Sequence, residues 1–97
     1  MKHITEMRAN FYQASELLEA CVTLLPNSKS EVKERLTTSA ETFSAMSADL
    51  SHYGIQELVT HKIKAIDSLP NWNDLKGLGS TGQAVFKIVR HVKFLTS

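Results

Sequence analysis

An apolar residue recurs every three or four positions through the first fifty-three residues, and no other feature constrains the fold as tightly. Ile4, Met7, Phe11, Ala14, Leu18, Cys21 and Leu25 form one such series. After a break at Pro26, Val32, Leu36, Ser39, Phe43, Met46, Leu50 and Tyr53 form a second. On a helix this spacing gathers the side chains into one seam, and a seam of that length must be covered. The two seams are expected to close on each other as a long antiparallel helical hairpin over residues 1–53.

The boundaries follow from local chemistry. Helix one is expected from about residue 3 to Leu25, because Pro26 lacks an amide hydrogen and disfavours helix at the residue before it. Ser28 and Glu31 have the spacing of a capping box for helix two. That helix is expected to reach Tyr53, with Gly54 as a left-handed terminator. Thr37, Thr38, Ser39, Thr42, Ser44 and Ser47 make its middle a poor intrinsic helix. Packing must hold that stretch, and small side chains let a neighbour approach closely.

Ile55, Leu58, Val59, Ile63, Ile66 and Leu69 form a third stripe ending at Pro70, either a separate helix or a bent continuation of helix two. Asn71 to Asp74 can cap a short turn through Trp72 and Leu75, stopped by Gly77. Ser80 and Gln83 have capping-box spacing for a last helix, whose Val85, Ile88, Val89, Val92 and Leu95 share one face. Strand-like alternation is absent. The expected fold is therefore all-α, a bundle-like, four-helix single domain over residues 1–97. Its long N-terminal hairpin packs with a shorter, mildly basic C-terminal helix pair over residues 55–97.

Composition narrows the function classes. The chain is 42% hydrophobic and 22% charged, with one cysteine, which argues for a folded protein without an internal disulfide. No run of eighteen apolar residues and no signal-peptide pattern is present, so a cytoplasmic location without a membrane partner is expected. The formal net charge is +1. Residues 1–50 hold five Lys/Arg against seven Asp/Glu, or −2, whereas residues 51–97 hold six against three, or +3.

Gly77, Gly79 and Gly82 match the spacing of a dinucleotide-binding loop, but that motif needs a strand before it and an acidic residue about twenty positions later. A helix-joining turn with unusual backbone angles is the favoured reading. The segment LGSTGQAVFKIV resembles the turn and second helix of a helix-turn-helix, with Leu78 and Gly79 at the turn. Ser80 departs from the usual apolar residue there. The resemblance implies that Gln83, Lys87, Arg90 and Lys93 face DNA bases or phosphates. LKGLGSTGQAVF also resembles a helix-hairpin-helix, whose glycine amides hold DNA backbone, although its small residue is replaced by Gln83.

Phe86 and Phe94 lie off the main apolar face of the last helix and interleave with Lys87, Arg90 and Lys93. Aromatic side chains beside arginine are typical of interface hot spots. Phe86, Lys87, Arg90 and Phe94 are thus the expected partner-binding residues. His3, His52, His61 and His91 show no helical pairing, so no metal site is expected. Cys21 reads as a small buried hydrophobe. No Ser-His-Asp order or elbow motif accompanies the serines and threonines, so neither catalysis nor a cofactor is expected. The sequence reads as a small adaptor, regulator or inhibitor acting on another protein, with a DNA-binding regulator using residues 72–93 as the alternative. A homodimer is expected if the seam of helix one is shared between copies.

Overall fold

The structure, a computed structural model, describes residues 4–97. Helix α1 spans Ile4–Leu24, α2 Ser30–Ala48, α3 Ile55–Asp67, α4 Trp72–Leu75 and α5 Ser80–Leu95. No strand occurs among the described residues, and the chain is all-α. The expected start of helix one at residue 3 lies outside the described residues.

Both seams are buried as their spacing requires. Phe11, Ala14, Leu18, Cys21 and Leu25 meet Val32, Leu36, Phe43, Met46 and Leu50 in one core, and the Phe11 and Phe43 rings stack with centroids 5.8 Å apart. Only the first turn departs, with Ile4 exposed. The hairpin is antiparallel, since Ser47 near the end of α2 donates from Oγ to the Arg8 carbonyl near the start of α1 at 2.8 Å. The small residues of α2 divide as close packing demands. Ser39, Ala40 and Ser47 are buried, while Thr37, Thr38 and Ser44 face water. The Ser39 Oγ donates to the Ala65 carbonyl of α3 at 2.8 Å. A hydroxyl buried at a helix contact is costly unless bonded, and the two buried serines of α2 are both bonded.

The third stripe forms a separate helix that packs on α2, whereas α5 packs on α1. Between α3 and α5 there is little contact. Helices α3 and α5 therefore each lean on a different helix of the hairpin, while α4 packs on α5. This explains why the stripe on α3 is only partly covered. Ala65 and Leu69 are buried, Leu58 and Ile66 half-buried, and Ile55, Val59 and Ile63 exposed. Arg35 ties α2 to the α3–α4 junction. Its Nε donates to the Ser68 carbonyl at 3.1 Å, and its Nη2 to the Leu69 carbonyl at 3.3 Å and Asp74 Oδ2 at 3.4 Å.

The helix ends correct several expectations. The Ser28–Glu31 capping box does not form, because Asn27–Lys29 winds into a 3-10 turn and the N-cap of α2 is Lys29. Ser28 therefore lies inside that turn, one residue before the N-cap, and no side chain caps α2. Helix α2 stops at Ala48 rather than Tyr53, and a 3-10 turn at Leu50–His52 keeps Leu50 on the core side. Gly54 is no left-handed terminator. It is extended, with φ −70° and ψ 164°, as the N-cap of α3. The Ser80–Gln83 box is also absent, since Ser80 is the first helical residue of α5 and Gly79 is the N-cap. The Asn71–Asp74 box does form. The Asp74 amide donates to Asn71 Oδ1 at 3.1 Å, and the Asn71 amide donates to Asp74 Oδ2 at 2.9 Å.

Cys21, towards the C-terminal end of the α1 seam, has no exposed surface, and burial pushes its thiol from 9.0 up to about 11. The folded state thus favours the protonated thiol. This preference contributes stability below pH 9 and is lost as pH rises from about 9 towards 11. Native protein is expected to react with a thiol-specific disulfide reagent only at its unfolding rate, and to lose stability over that pH window more steeply than Cys21→Ala. Fast labelling of native protein at neutral pH would show that the thiol is accessible.

Candidate functional site

Helix α5 buries Gly82, Val85, Val89 and Val92 and turns Gln83, Lys87, Arg90 and Lys93 to water. Gly82 sets the position of α4 beside it. A Cβ at residue 82 would overlap the Leu75 carbonyl oxygen, so only glycine lets the one-turn helix come this close. Gly77 and Gly79 make the connecting turn with φ of 91° and 63°, in the left-handed region that glycine enters without strain. All three glycines thereby serve a helix-joining turn. In the helix-hairpin-helix comparison the small residue belongs at Gln83; the structure gives that contact to Gly82 and leaves Gln83 exposed. In the helix-turn-helix comparison the first helix is α4, a single turn.

The close approach of α4 has a consequence on the outer surface. It brings Trp72 edge-to-face against Phe86, with centroids 5.4 Å apart and planes at 71°. The Arg90 guanidinium carbon lies 6.0 Å from the centre of the Phe86 ring, at the outer reach of a cation–π contact. Trp72, Gln83, Phe86, Lys87 and Arg90 line one shallow depression of about 330 Å³. Three of the four expected partner-binding residues, Phe86, Lys87 and Arg90, are thus brought together. Phe94 is not among the lining residues. It is 76% exposed and stacks on His91, one turn further along α5. Trp72 is the residue that sequence reasoning missed. Its contact with Phe86 depends on the glycine turn folding α4 back onto α5, which no linear spacing displays.

The electrostatics of this face are one-sided. From residue 75 to the end the sequence contains Lys76, Lys87, Arg90 and Lys93 and no Asp or Glu. Among the described residues the ion pairs are Arg35 with Asp74 and His52 with Asp49. Asp74, the acid nearest in sequence to α5, is engaged by Arg35 and by the cap of α4. The cations of α5 therefore have no carboxylate partner among the described residues.

The other candidates do not assemble. His52 meets Asp49 at 2.6 Å, His61 packs its edge on Tyr53, and His91 lies on Phe94, while His3 is outside the described residues. Among the described residues no three His, Cys, Asp or Glu side chains are grouped as metal ligands would be. A cleft of about 410 Å³ lies between α2 and α3, bordered by Thr38, Thr42, His61 and Lys64. Three of its hydroxyls bond helix carbonyls: Ser39 donates to Ala65 at 2.8 Å, Thr42 to Thr38 at 3.0 Å and Ser68 to Lys64 at 3.0 Å. No described helix is long and apolar enough to cross a membrane. Comparison with known protein families, curated proteins and solved structures returns no match for this chain.

Proposed function

We propose that the chain is a non-catalytic interaction protein, an adaptor, regulator or inhibitor, that covers an anionic surface of another protein with its α4–α5 face. The observation that carries this reading is the Trp72–Phe86–Arg90 cluster beside α5 cations that have no carboxylate partner among the described residues. Aromatic rings and arginine dominate the anchored centres of protein interfaces, and lysines suit the polar rim.

A second reading, a small DNA-binding regulator, draws on the same face. Gln83, Lys87, Arg90 and Lys93 all face water along α5, as the helix-turn-helix resemblance requires. Self-association has narrower support, because the seam of α1 is filled by α2 and α5. A second copy would have to use the exposed Ile55, Val59 and Ile63 flank of α3.

Photo-crosslinking inside cells tests these readings together. A benzoylphenylalanine at position 87 is expected to give protease-sensitive adducts, and the same group at position 16, on the outer face of α1, is expected to give none. Nuclease-sensitive adducts from position 87 would favour the DNA reading instead. Equal adducts from both positions, or none from position 87, would remove the α4–α5 face as the binding surface.

A further inference from the structure

Within the interaction reading, on which this step rests, we infer that the Trp72–Phe86 depression takes an acidic protein segment with one apolar anchor side chain. The depression combines two requirements that such a segment meets and few other ligands do. Its walls are the Trp72 and Phe86 rings, held edge-to-face, so an aliphatic or aromatic side chain finds ring carbon on two sides. Its rim is cationic, with Lys87 and Arg90 on one helix and no carboxylate to neutralise them.

The placement of Arg90 makes the charge preference specific. Its guanidinium carbon lies 6.0 Å from the centre of the Phe86 ring, beside the depression, and its carboxylate-pairing N–H groups have no ion-pair partner among the described residues. A guanidinium fork suits bidentate pairing with a carboxylate. Lys87, one turn earlier, supplies a second, flexible cation to a neighbouring acid, and Gln83 closes the rim with a neutral amide. A carboxylate flanking the anchor on either side therefore finds a cation.

Nucleic acid fits the walls less well. Single strands bind by stacking bases on open ring faces. Here the two rings meet edge to face, and Phe86 is half-buried.

Trp72 is the single tryptophan of the chain, so its fluorescence reports directly on the depression. The test titrates the intact protein with a capped heptapeptide of six glutamates around a central leucine. Two controls are used: the same peptide with a central serine, and a seven-nucleotide oligothymidine. A saturable change in Trp72 emission is expected with the leucine peptide. Affinity is expected to be at least tenfold weaker with the serine peptide, and at least tenfold weaker for Phe86→Ala and for Arg90→Gln. Far-UV circular dichroism checks that both variants fold, and the exposed Arg90 keeps the test decisive if Phe86→Ala does not. Equal binding of the two peptides would overturn the anchor. Tighter binding of oligothymidine than of the leucine peptide would overturn the protein partner, and no saturable change with the leucine peptide would overturn the inference outright. If crosslinks still form from position 87 in that case, the interaction reading stands and only this partner chemistry falls.

Discussion

Leu18→Asp is expected to abolish the cooperative helical melt of the whole chain. Leu18 has no exposed surface and sits midway along α1, in the core shared by the helices of the hairpin. Replacing it forfeits about 1.5 to 3 kcal/mol of apolar burial. It also places a carboxylate where no described side chain can pair with it, a further cost of several kcal/mol. Small domains are stable by only about 5 to 15 kcal/mol, so the two losses together are comparable to the total. Circular dichroism at 25 °C should show little helix for the variant, while Glu19→Ala, one residue away and exposed, should melt within about 0.5 kcal/mol of the parent. A near-parental melt of Leu18→Asp would mean that the α1 seam is not a core.

The seam was legible because periodicity is a property of the sequence itself. A helix turns about 100° per residue whatever surrounds it, so Phe11, Leu18, Leu36 and Phe43 had to share faces before any partner was known. The caps were less legible, because an N-cap depends on backbone angles that neighbouring turns decide. Ser28 and Ser80 had suitable side chains and suitable acids or amides three positions on, yet both were already wound into helical turns. Asn71 kept an extended backbone after Pro70, and there the box formed. The exposed flank of α3 was illegible for a different reason. Ile55, Val59 and Ile63 have the spacing of a core stripe, but the number of helices that cover a stripe is a tertiary matter, and α3 has α2 on one side and little of α5 on the other.

The candidate site divides in the same way. Phe86, Lys87 and Arg90 were found because they lie within one turn or so of a single helix. Phe94 follows on that helix, but the depression ends before it. Trp72 lies fourteen positions before Phe86 and reaches it only through the glycine turn. One signal could have pointed to it. A glycine three residues after Gly79, inside an otherwise good helix, is costly unless something packs against it, and the preceding one-turn helix carrying Trp72 is the nearest element able to do so.

Gly82→Ala tests that link and should produce the second large effect. On an open helix surface the change would stabilise the chain by about 0.4 to 1 kcal/mol, because alanine loses less backbone freedom on folding. Here the added methyl would overlap the Leu75 carbonyl oxygen and lie 3.2 Å from the Leu78 Cβ. The Leu75 oxygen cannot yield cheaply, since it belongs to the backbone and accepts the Leu78 amide at 3.3 Å in the turn. Overpacking of this kind costs about 1 to 3 kcal/mol, which reverses the sign. Helix α4 is the smaller body and should move outward, taking Trp72 from Phe86. The expected result is a lower melting temperature with helix content nearly unchanged, and Trp72 emission shifted to the red as the ring enters water. Gly54→Ala supplies the contrast. That glycine has φ −70° and open space around its Cβ position, so the same substitution meets no overlap; its cost should stay within the ~1 kcal/mol of a less favourable N-cap, and Trp72 emission should not move. If Gly82→Ala raises the melting temperature and leaves Trp72 emission in place, α4 does not lie against α5. The depression that depends on their contact would then have no basis.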